Sequence, residues 1–200
     1  MIQAQKLIID EASPHKRGEV LFESNTPGSY ECTILKGGVF EIYCIGSGGK
    51  AVATPVYDDI GYLATGGSGG GFIGKFRLGA GKRSITIGAL EGLGGSSVSG
   101  IVSVGGGGNG VARLTPGAAG AAPTLSMTPL STTLNTAGNQ GKSGTGGKGG
   151  SIAPVKLSGG ASVYQEYGQG GDGQASEYWQ QCYTNPPKAG YVKIVYLGRR

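Results

Sequence analysis

The chain has 200 residues, of which 43 are glycine and 9 proline, and it carries only 14% charged residues with a formal net charge of +5. So much glycine and proline argues against a helical protein, and so little charge argues against disorder of the kind that charge repulsion produces. Lysines and arginines occur singly or in isolated pairs, so we expect no nucleic-acid partner.

Residues 1–18 form a short N-terminal segment with one candidate strand, Lys6–Asp10, and a polar turn around Pro14. We expect this segment to dock onto the body of the protein or onto a partner, and the sequence leaves both open. Its apolar run is too short for a secretory signal, and no run in the chain approaches the ~18 apolar residues of a membrane span. We therefore expect folding in a cytoplasm and no membrane insertion.

Alternating polar and apolar residues predict strands from residue 19 onward. Val20–Phe22 leads into the turn at Pro27-Gly28, and two further strands cover residues 29–35 and 39–45. The side chains that share the buried faces are Tyr30, Cys32, Ile34, Phe40, Ile42 and Cys44. Cys32 and Cys44 are therefore predicted to be buried, inert thiols.

Further strands are predicted at residues 72–78, 83–88 and 101–104. The last strand, 191–197, is apolar on both faces, which predicts a central position in a sheet next to the N-terminal strands. The sequence thus predicts an all-β fold, an antiparallel β-sandwich over residues 19–200. A glycine-rich insertion at about 46–173 would be closed by the strand 191–197.

The glycine tract between Gly46 and Gly173 holds 37 of the 43 glycines and still contains large apolar residues, so we expect it to be ordered. Its glycine-rich pieces are 46–49, 66–71, 92–100, 105–110, 117–122, 144–150 and 168–173. Extended helices with three residues per turn make no internal hydrogen bonds, so their amides must bond to neighbouring helices. Glycine allows that close approach, and the tract therefore predicts a packed array of polyglycine II-type helices.

Four segments of different composition separate these pieces, at residues 50–65, 123–143, 151–167 and 174–188. Rigid scaffolds commonly present functional side chains on such loops, and aromatic residues supply contact area at little entropic cost. The candidate binding residues are Tyr57, Asp58, Asp59, Tyr62, Tyr164, Tyr167, Tyr178, Trp179 and Tyr183. The competing interpretation is that these aromatics cap the ends of the glycine array.

Catalytic and cofactor chemistry has little support in this sequence. The fragment 46–51 lacks the following helix of a dinucleotide site, and 69–76 lacks the hydroxyl residue of a P-loop. The fragment 138–143 lacks the first P-loop glycine, because position 136 is Thr136. His15 is the only histidine, and a zinc site with Cys32, Cys44 and Cys182 would lack a C-x-x-C pair. Acidic groups such as Asp58-Asp59 could in principle hydrolyse a glycoside or hold calcium. We expect no enzyme, no cofactor and no metal.

The order of these features resembles the glycine-rich domain of phage and prophage tail-fibre proteins. The run from Phe22 through Pro27-Gly28-Ser29-Tyr30 and then residues 38–49, GVFEIYCIGSGG, is similar to the opening of that domain. The stretches 66–72, 94–97 and 105–108 and the terminal GYVKI at 190–194 continue the resemblance, which covers about residues 19–197.

The resemblance implies a β-sandwich bearing polyglycine II helices, as in the distal adhesins of T-even-type phages, whose variable loops contact host outer-membrane proteins. On this basis we expect a receptor-binding protein of a phage tail fibre or tail tip, located in the virion. Its partners would be a bacterial surface protein or glycan and the other tail proteins. The alternative is a structural or assembly component of the tail without host contact.

Overall fold

The computed structural model describes residues 15–54, 62–89, 94–111, 115–144, 146–147, 167–171, 173–174 and 183–199. These residues form strands, turns and extended segments, and no helix occurs among them. Several sequence predictions lie outside the described residues: the strand Lys6–Asp10, Cys182, and the candidate binding residues Tyr57, Asp58, Asp59, Tyr164, Tyr178 and Trp179.

The described strands are named in chain order. They are β1 (Val20–Ser24), β2 (Gly28–Ile34), β3 (Gly38–Ile45), β4 (Val52–Thr54), β5 (Tyr62–Ala64), β6 (Gly71–Leu78), β7 (Gly81–Ile87), β8 (Ser96–Val98), β9 (Val102–Val104), β10 (Thr124–Leu125), β11 (Ser131–Thr136), β12 (Ser143–Gly144), β13 (Gly146–Gly147), β14 (Gly173–Gln174), β15 (Tyr183–Thr184) and β16 (Tyr191–Gly198).

Two five-stranded antiparallel sheets pack face to face. The first has the order β1-β16-β3-β6-β11 and the second the order β10-β9-β8-β7-β2. In the first sheet β3 lies between β16 and β6 and pairs with both. Ile45 at the end of β3 lies opposite Tyr191 of β16 and Gly71 of β6. The sandwich predicted from the sequence is confirmed at this level, including the central position of the closing strand.

The core lies between the two sheets. Alternate residues of β3, β6 and β16 point inward, and Phe40, Ile42, Phe72, Phe76 and Ile194 are all fully buried at 0% exposure. The second sheet contributes its own inward residues, Cys32, Ile34, Ile85, Ile87, Val98, Val102 and Val104. Cys32 and Cys44 are buried, unbonded thiols, as their strand positions predicted. Burial raises the pKa of both thiols, so neither is activated as a nucleophile.

Two predicted boundaries are corrected by the structure. The piece 92–100, expected to join the glycine array, contains the strand β8, whose Ser96 and Val98 are buried against the sandwich. The segment 123–143, expected to be a loop, contains the edge strand β11, which pairs with β6. Both errors arise because β8 and β11 contain mostly small or polar side chains and so show no clear alternation of polar and apolar residues. Pairing with β7 and β6, which are distant in sequence, makes them strands.

Two smaller three-stranded sheets lie beyond the sandwich, with the orders β12-β5-β4 and β13-β14-β15. β4 and β5 form an antiparallel hairpin in which Val52 pairs with Ala64. The glycine-rich segments connect this hairpin to the first sheet, because residues 46–51 join β3 to β4 and residues 65–70 join β5 to β6. None of the described residues belongs to a helix with the length and hydropathy of a membrane span.

Candidate binding site

Six extended segments lie side by side between the first sheet and the small sheets, and we call them together the glycine array. They are residues 46–50, 65–70, 105–110, 117–121, 138–142 and 168–171. None of them is a strand, and their glycines have no positive φ except Gly168, at +69°. A left-handed backbone conformation therefore does not explain why these positions are glycine. Close packing of the neighbouring backbones is the remaining explanation.

The segment 65–70 is the centre of the glycine array, and all six of its backbone amides donate to other segments. Gly66 and Gly69 donate to Gly171 and Gly168, at 3.0 and 2.9 Å. The other four amides donate to two further segments. Gly67 and Gly70 donate to the carbonyls of Gly108 and Gly105 in the segment 105–110. Thr65 and Ser68 donate to the carbonyls of Lys142 and Asn139 in the segment 138–142. Each neighbour is thus met at every third residue.

Two further segments complete the ring by donating to the centre. Gly46 and Gly49 donate to the carbonyls of Gly70 and Gly67, each at 3.0 Å, and Gly117 and Gly120 donate to those of Thr65 and Ser68, each at 2.9 Å. Five segments therefore surround 65–70. A three-residue repeat in which every bond leaves the segment is the pattern expected of extended three-fold chains rather than of a β-sheet.

Glycine is required in the array because the neighbouring backbone occupies the place of a side chain. A Cβ added at Gly66 would overlap the carbonyl of Gly49, and one added at Gly67 would overlap that of Ala118. Gly107 and Gly141 meet the carbonyls of Gly67 and Thr65 in the same way. In all four cases the added Cβ would lie less than 3.0 Å from a carbonyl oxygen, which is closer than real Cβ atoms come to such neighbours.

Three positions in the array carry serine or threonine, and the hydroxyl group of each makes a hydrogen bond to the backbone of a neighbouring segment. The Ser68 hydroxyl accepts from the Asn139 amide at 2.8 Å, and the Thr65 hydroxyl accepts from the Lys142 amide at 2.6 Å. The Ser47 hydroxyl donates to the Gly94 carbonyl at 2.9 Å. All three hydroxyl residues are buried at 1% exposure or less, so they are part of the packing and not contact residues.

The array extends the strands of the sandwich toward the β4–β5 hairpin. Because 46–50 runs antiparallel to 65–70, the chain from β3 to β4 and the chain from β5 to β6 lie side by side over their whole length. At ~3.1–3.3 Å per residue, the 17 residues 38–54 span about 50 Å. The end that carries the β4–β5 hairpin, the Val111–Thr115 bridge and β12 to β15 is called the distal end.

Three of the candidate binding residues, Tyr62, Tyr167 and Tyr183, are among the residues that the structure describes. Tyr62 begins β5 and Tyr183 begins β15, both strands of the small sheets. Tyr167 lies at the start of the array segment 168–171, and its ring stacks on Tyr191 with the centroids 4.2 Å apart. Tyr167 thus packs on the first residue of β16. Contact of these residues with a partner stays a prediction.

Tyr191 links this stacked pair to the outer face of the first sheet. Its hydroxyl donates to the Glu23 carboxylate at 2.6 Å, and Lys193 lies 3.3 Å from the same carboxylate. The hydrogen bond from Tyr191 is the largest cause of a lowered Glu23 pKa; burial opposes it, and Lys193 adds to the lowering. Burial and the Glu23 carboxylate raise the Tyr191 pKa, so the phenol stays protonated as the donor.

A polar cavity of about 300 Å³ opens beside the array segment 168–171. Gln169, Asn185, Pro186 and Lys188 line it, together with the backbone of Gly170. The Lys188 amide donates to the Gln169 carbonyl at 2.8 Å, which closes one wall. Sequence reasoning did not single out these residues because no motif marks them, although Gln169 lies within the predicted glycine piece 168–173 and Lys188 within the predicted loop 174–188.

The described residues contain no group of three or more potential metal ligands. His15 is buried at 6% exposure, and its Nε2 accepts a hydrogen bond from the Leu35 amide at 3.1 Å. Asp58 and Asp59, the acidic pair considered for hydrolysis, lie outside the described residues. In comparisons with known proteins, the chain matches no family model and no curated protein.

Proposed function

We propose that this chain is a receptor-binding module of a phage tail fibre or tail tip, which contacts the bacterial surface through its distal end. The observation that carries the proposal is the three-residue hydrogen-bond repeat around 65–70, with five segments around one centre. That repeat supports polyglycine II-type helices in the array, which the family resemblance also implies.

The array gives the distal end a stiff base. Every amide of 65–70 is bonded to another segment, and residues 65–70 are all buried, so the segments cannot bend independently. Hairpins held on such a base lose little entropy on binding, because their ends are already fixed. This combination suits a protein that must present variable loops to a host surface while its scaffold stays constant.

The partners of this function are a bacterial outer-surface protein or glycan at the distal end and other tail proteins elsewhere, and the location is the virion. The proposal assigns no enzymatic activity and no cofactor. The polar lining of the cavity at Gln169 suits hydrogen-bonding groups of either a glycan or a peptide backbone.

Binding of the labelled full-length protein to a panel of bacterial strains tests the proposal. The test variant replaces residues 55–61, which connect β4 and β5, with a glycine-serine sequence of equal length. The control variant replaces residues 25–27 in the turn between β1 and β2 of the sandwich in the same way. We expect strain-selective binding that the first replacement abolishes and the second preserves, with equal melting temperatures.

The alternative, a tail assembly component without host contact, is favoured by the packing of Tyr167 against Tyr191, which gives that aromatic a structural use. Under this alternative the folded protein would bind tail proteins and no strain in the panel. That result would overturn the receptor-binding proposal.

A further inference from the structure

The polar cavity at Gln169 has the size and the lining of a small-ligand site. Five described residues line it: Gln169, Gly170, Asn185, Pro186 and Lys188. Its volume of about 300 Å³ lies at the lower end of the range for small-molecule sites, which is about 300–1,000 Å³. The cavity therefore holds a group of the size of one sugar residue and not a long chain segment.

The glycine array holds the walls of this cavity in place. The Lys188 amide donates to the Gln169 carbonyl at 2.8 Å, and the Lys188 carbonyl accepts from the Gly48 amide at 2.9 Å. The Gly171 amide and carbonyl are both bonded to other array segments, and the Pro186 ring fixes its own φ. A ligand that enters the cavity therefore does not have to order these walls, which lowers the entropic cost of binding.

The fold does not use the polar side chains of the cavity. In the part of the chain that the structure describes, no hydrogen bond or ion pair joins the side chains of Gln169, Asn185 or Lys188 to another residue. The Gly170 amide is buried and likewise donates to none of the described residues. A buried donor without an acceptor costs free energy, and an oxygen of a bound ligand offsets that cost.

The chemistry of these groups fits a sugar better than a peptide. A carboxamide carries a donor and an acceptor side by side, and a sugar hydroxyl is likewise both a donor and an acceptor. An extended peptide is recognised mainly through unpaired backbone groups of a sheet edge. Here the Lys188 amide and the carbonyls of Gln169 and Lys188 are already bonded, and Pro186 has no amide. The cavity therefore recognises its ligand chiefly through side chains.

We propose that the polar cavity at Gln169 binds one sugar residue of a bacterial surface glycan. The carboxamides of Gln169 and Asn185 bond to neighbouring hydroxyl groups of the sugar ring. No acidic residue of the described chain lines the cavity, so the Lys188 ammonium bonds to a carboxylate of the sugar, and uronic acids bind more tightly than neutral sugars. This inference rests on the proposed function, because it names the class of receptor, but its direct test uses no cells.

The test is a titration of the full-length protein with methyl glycosides, followed by amide chemical shifts. The probes have the gluco, galacto and manno configurations, each as the neutral sugar and as the uronic acid. The test variants are Gln169→Ala/Asn185→Ala and Lys188→Gln. The control variant, Asn25→Ala/Asn135→Ala, removes two carboxamides from exposed positions on the sandwich. Melting temperatures verify that each variant is folded.

We expect at least one uronic acid to bind in the millimolar range, with shifts concentrated at the amides of Gln169, Gly170, Asn185 and Lys188. Affinity should fall by about fivefold or more in Gln169→Ala/Asn185→Ala and by less than about twofold in the control. Lys188→Gln should remove the preference for the uronic acid over the neutral sugar of the same configuration.

Three results would overturn the inference. The first is the absence of shifts at these amides with every glycoside, and the second is equal weakening in the test and control double variants. The third is a response of the same amides to N-acetyl-trialanine amide and to none of the glycosides, which would assign the cavity to a peptide.

Cell binding by the same variants separates this inference from the proposed function. Strain-selective binding that Gln169→Ala/Asn185→Ala leaves unchanged, together with no glycoside binding, would refute the sugar site and retain the receptor-binding module. Glycoside binding by a protein that binds no strain would retain the sugar site and refute the proposed function.

Discussion

Glycines inside and outside the array differ in what a side chain would meet. At Gly66 the position of a Cβ is already occupied by the Gly49 carbonyl, whereas at Gly79, in the turn between β6 and β7, nothing lies within 4 Å. Neither glycine has a positive φ, so backbone strain does not separate them. Comparing the two positions therefore separates the effect of backbone packing from the effect of glycine on the conformational entropy of the unfolded chain.

We expect Gly66→Ala to lower the free energy of unfolding by about 3 kcal/mol, since the methyl group must push two segments of the array apart. Gly79→Ala should change it by less than about 1 kcal/mol, in the stabilising direction, because alanine restricts the unfolded chain. Denaturant unfolding of both variants measures the difference. Equal effects at the two positions would contradict the close packing of 65–70.

The Glu23 carboxylate gives the sandwich a pH-dependent contribution. Its pKa is lowered from 4.5, chiefly by the Tyr191 hydroxyl, so its ionised form stabilises the folded state above that pH. The contribution is lost as the pH falls through the lowered pKa of the folded state. Because the Glu23 side chain is 45% exposed, the hydrogen bond contributes only about 1 kcal/mol.

Tyr191→Phe should therefore reduce the free energy of unfolding by about 1 kcal/mol at neutral pH and make its decline below pH 4.5 shallower. Tyr30→Phe is the control, since the Tyr30 hydroxyl donates to the neutral Thr26 carbonyl at 2.9 Å. Unfolding free energies measured from pH 3 to pH 7 compare the variants. An unchanged acid decline in Tyr191→Phe would show that Glu23 does not depend on this phenol.

At the level of elements, the array is bonded like secondary structure although it contains no strand. Slow hydrogen exchange is the expected consequence, because each amide of 65–70 is buried and donates to a neighbouring segment. We expect these amides to be protected as strongly as those of β3. Met127 and Thr128, which are exposed, provide the fast reference in the same experiment. Exchange at 65–70 as fast as at those two residues would contradict a cooperative array.

A run that is apolar on both faces predicted β16, whereas alternation predicted β1, β2, β3, β6 and β7, whose inward side chains fill the core or pack against it. It did not predict β11, whose residues STTLNT carry only one large apolar side chain and whose place is set by pairing with β6. The array segment 138–142 was also missed. It contains only two glycines, Gly138 and Gly141, spaced three apart, and that spacing is the signal that identifies it.

The whole molecule has two ends with different chemistry. The distal end combines short hairpins with the polar cavity at Gln169, and the other end of the sandwich carries an open cavity lined in part by Lys36, Arg77 and Arg199. The sequence predicted loops at 50–65, 123–143, 151–167 and 174–188 from their composition, and of these 123–143 instead contains the sandwich strand β11. It did not predict the two cavities, because their walls come from residues far apart in the chain that only the sheet topology brings together.

The central claim is that the distal end binds a bacterial surface. Tyr178→Ala/Trp179→Ala in the full-length protein tests it by cell binding, with Val20→Ala as the control for loss of an exposed apolar side chain on the sandwich. We expect the double variant to lose strain-selective binding at an unchanged melting temperature, and the control to bind normally. Undiminished binding by a folded double variant, or a lowered melting temperature that accounts for the loss, would contradict the claim for these two aromatics.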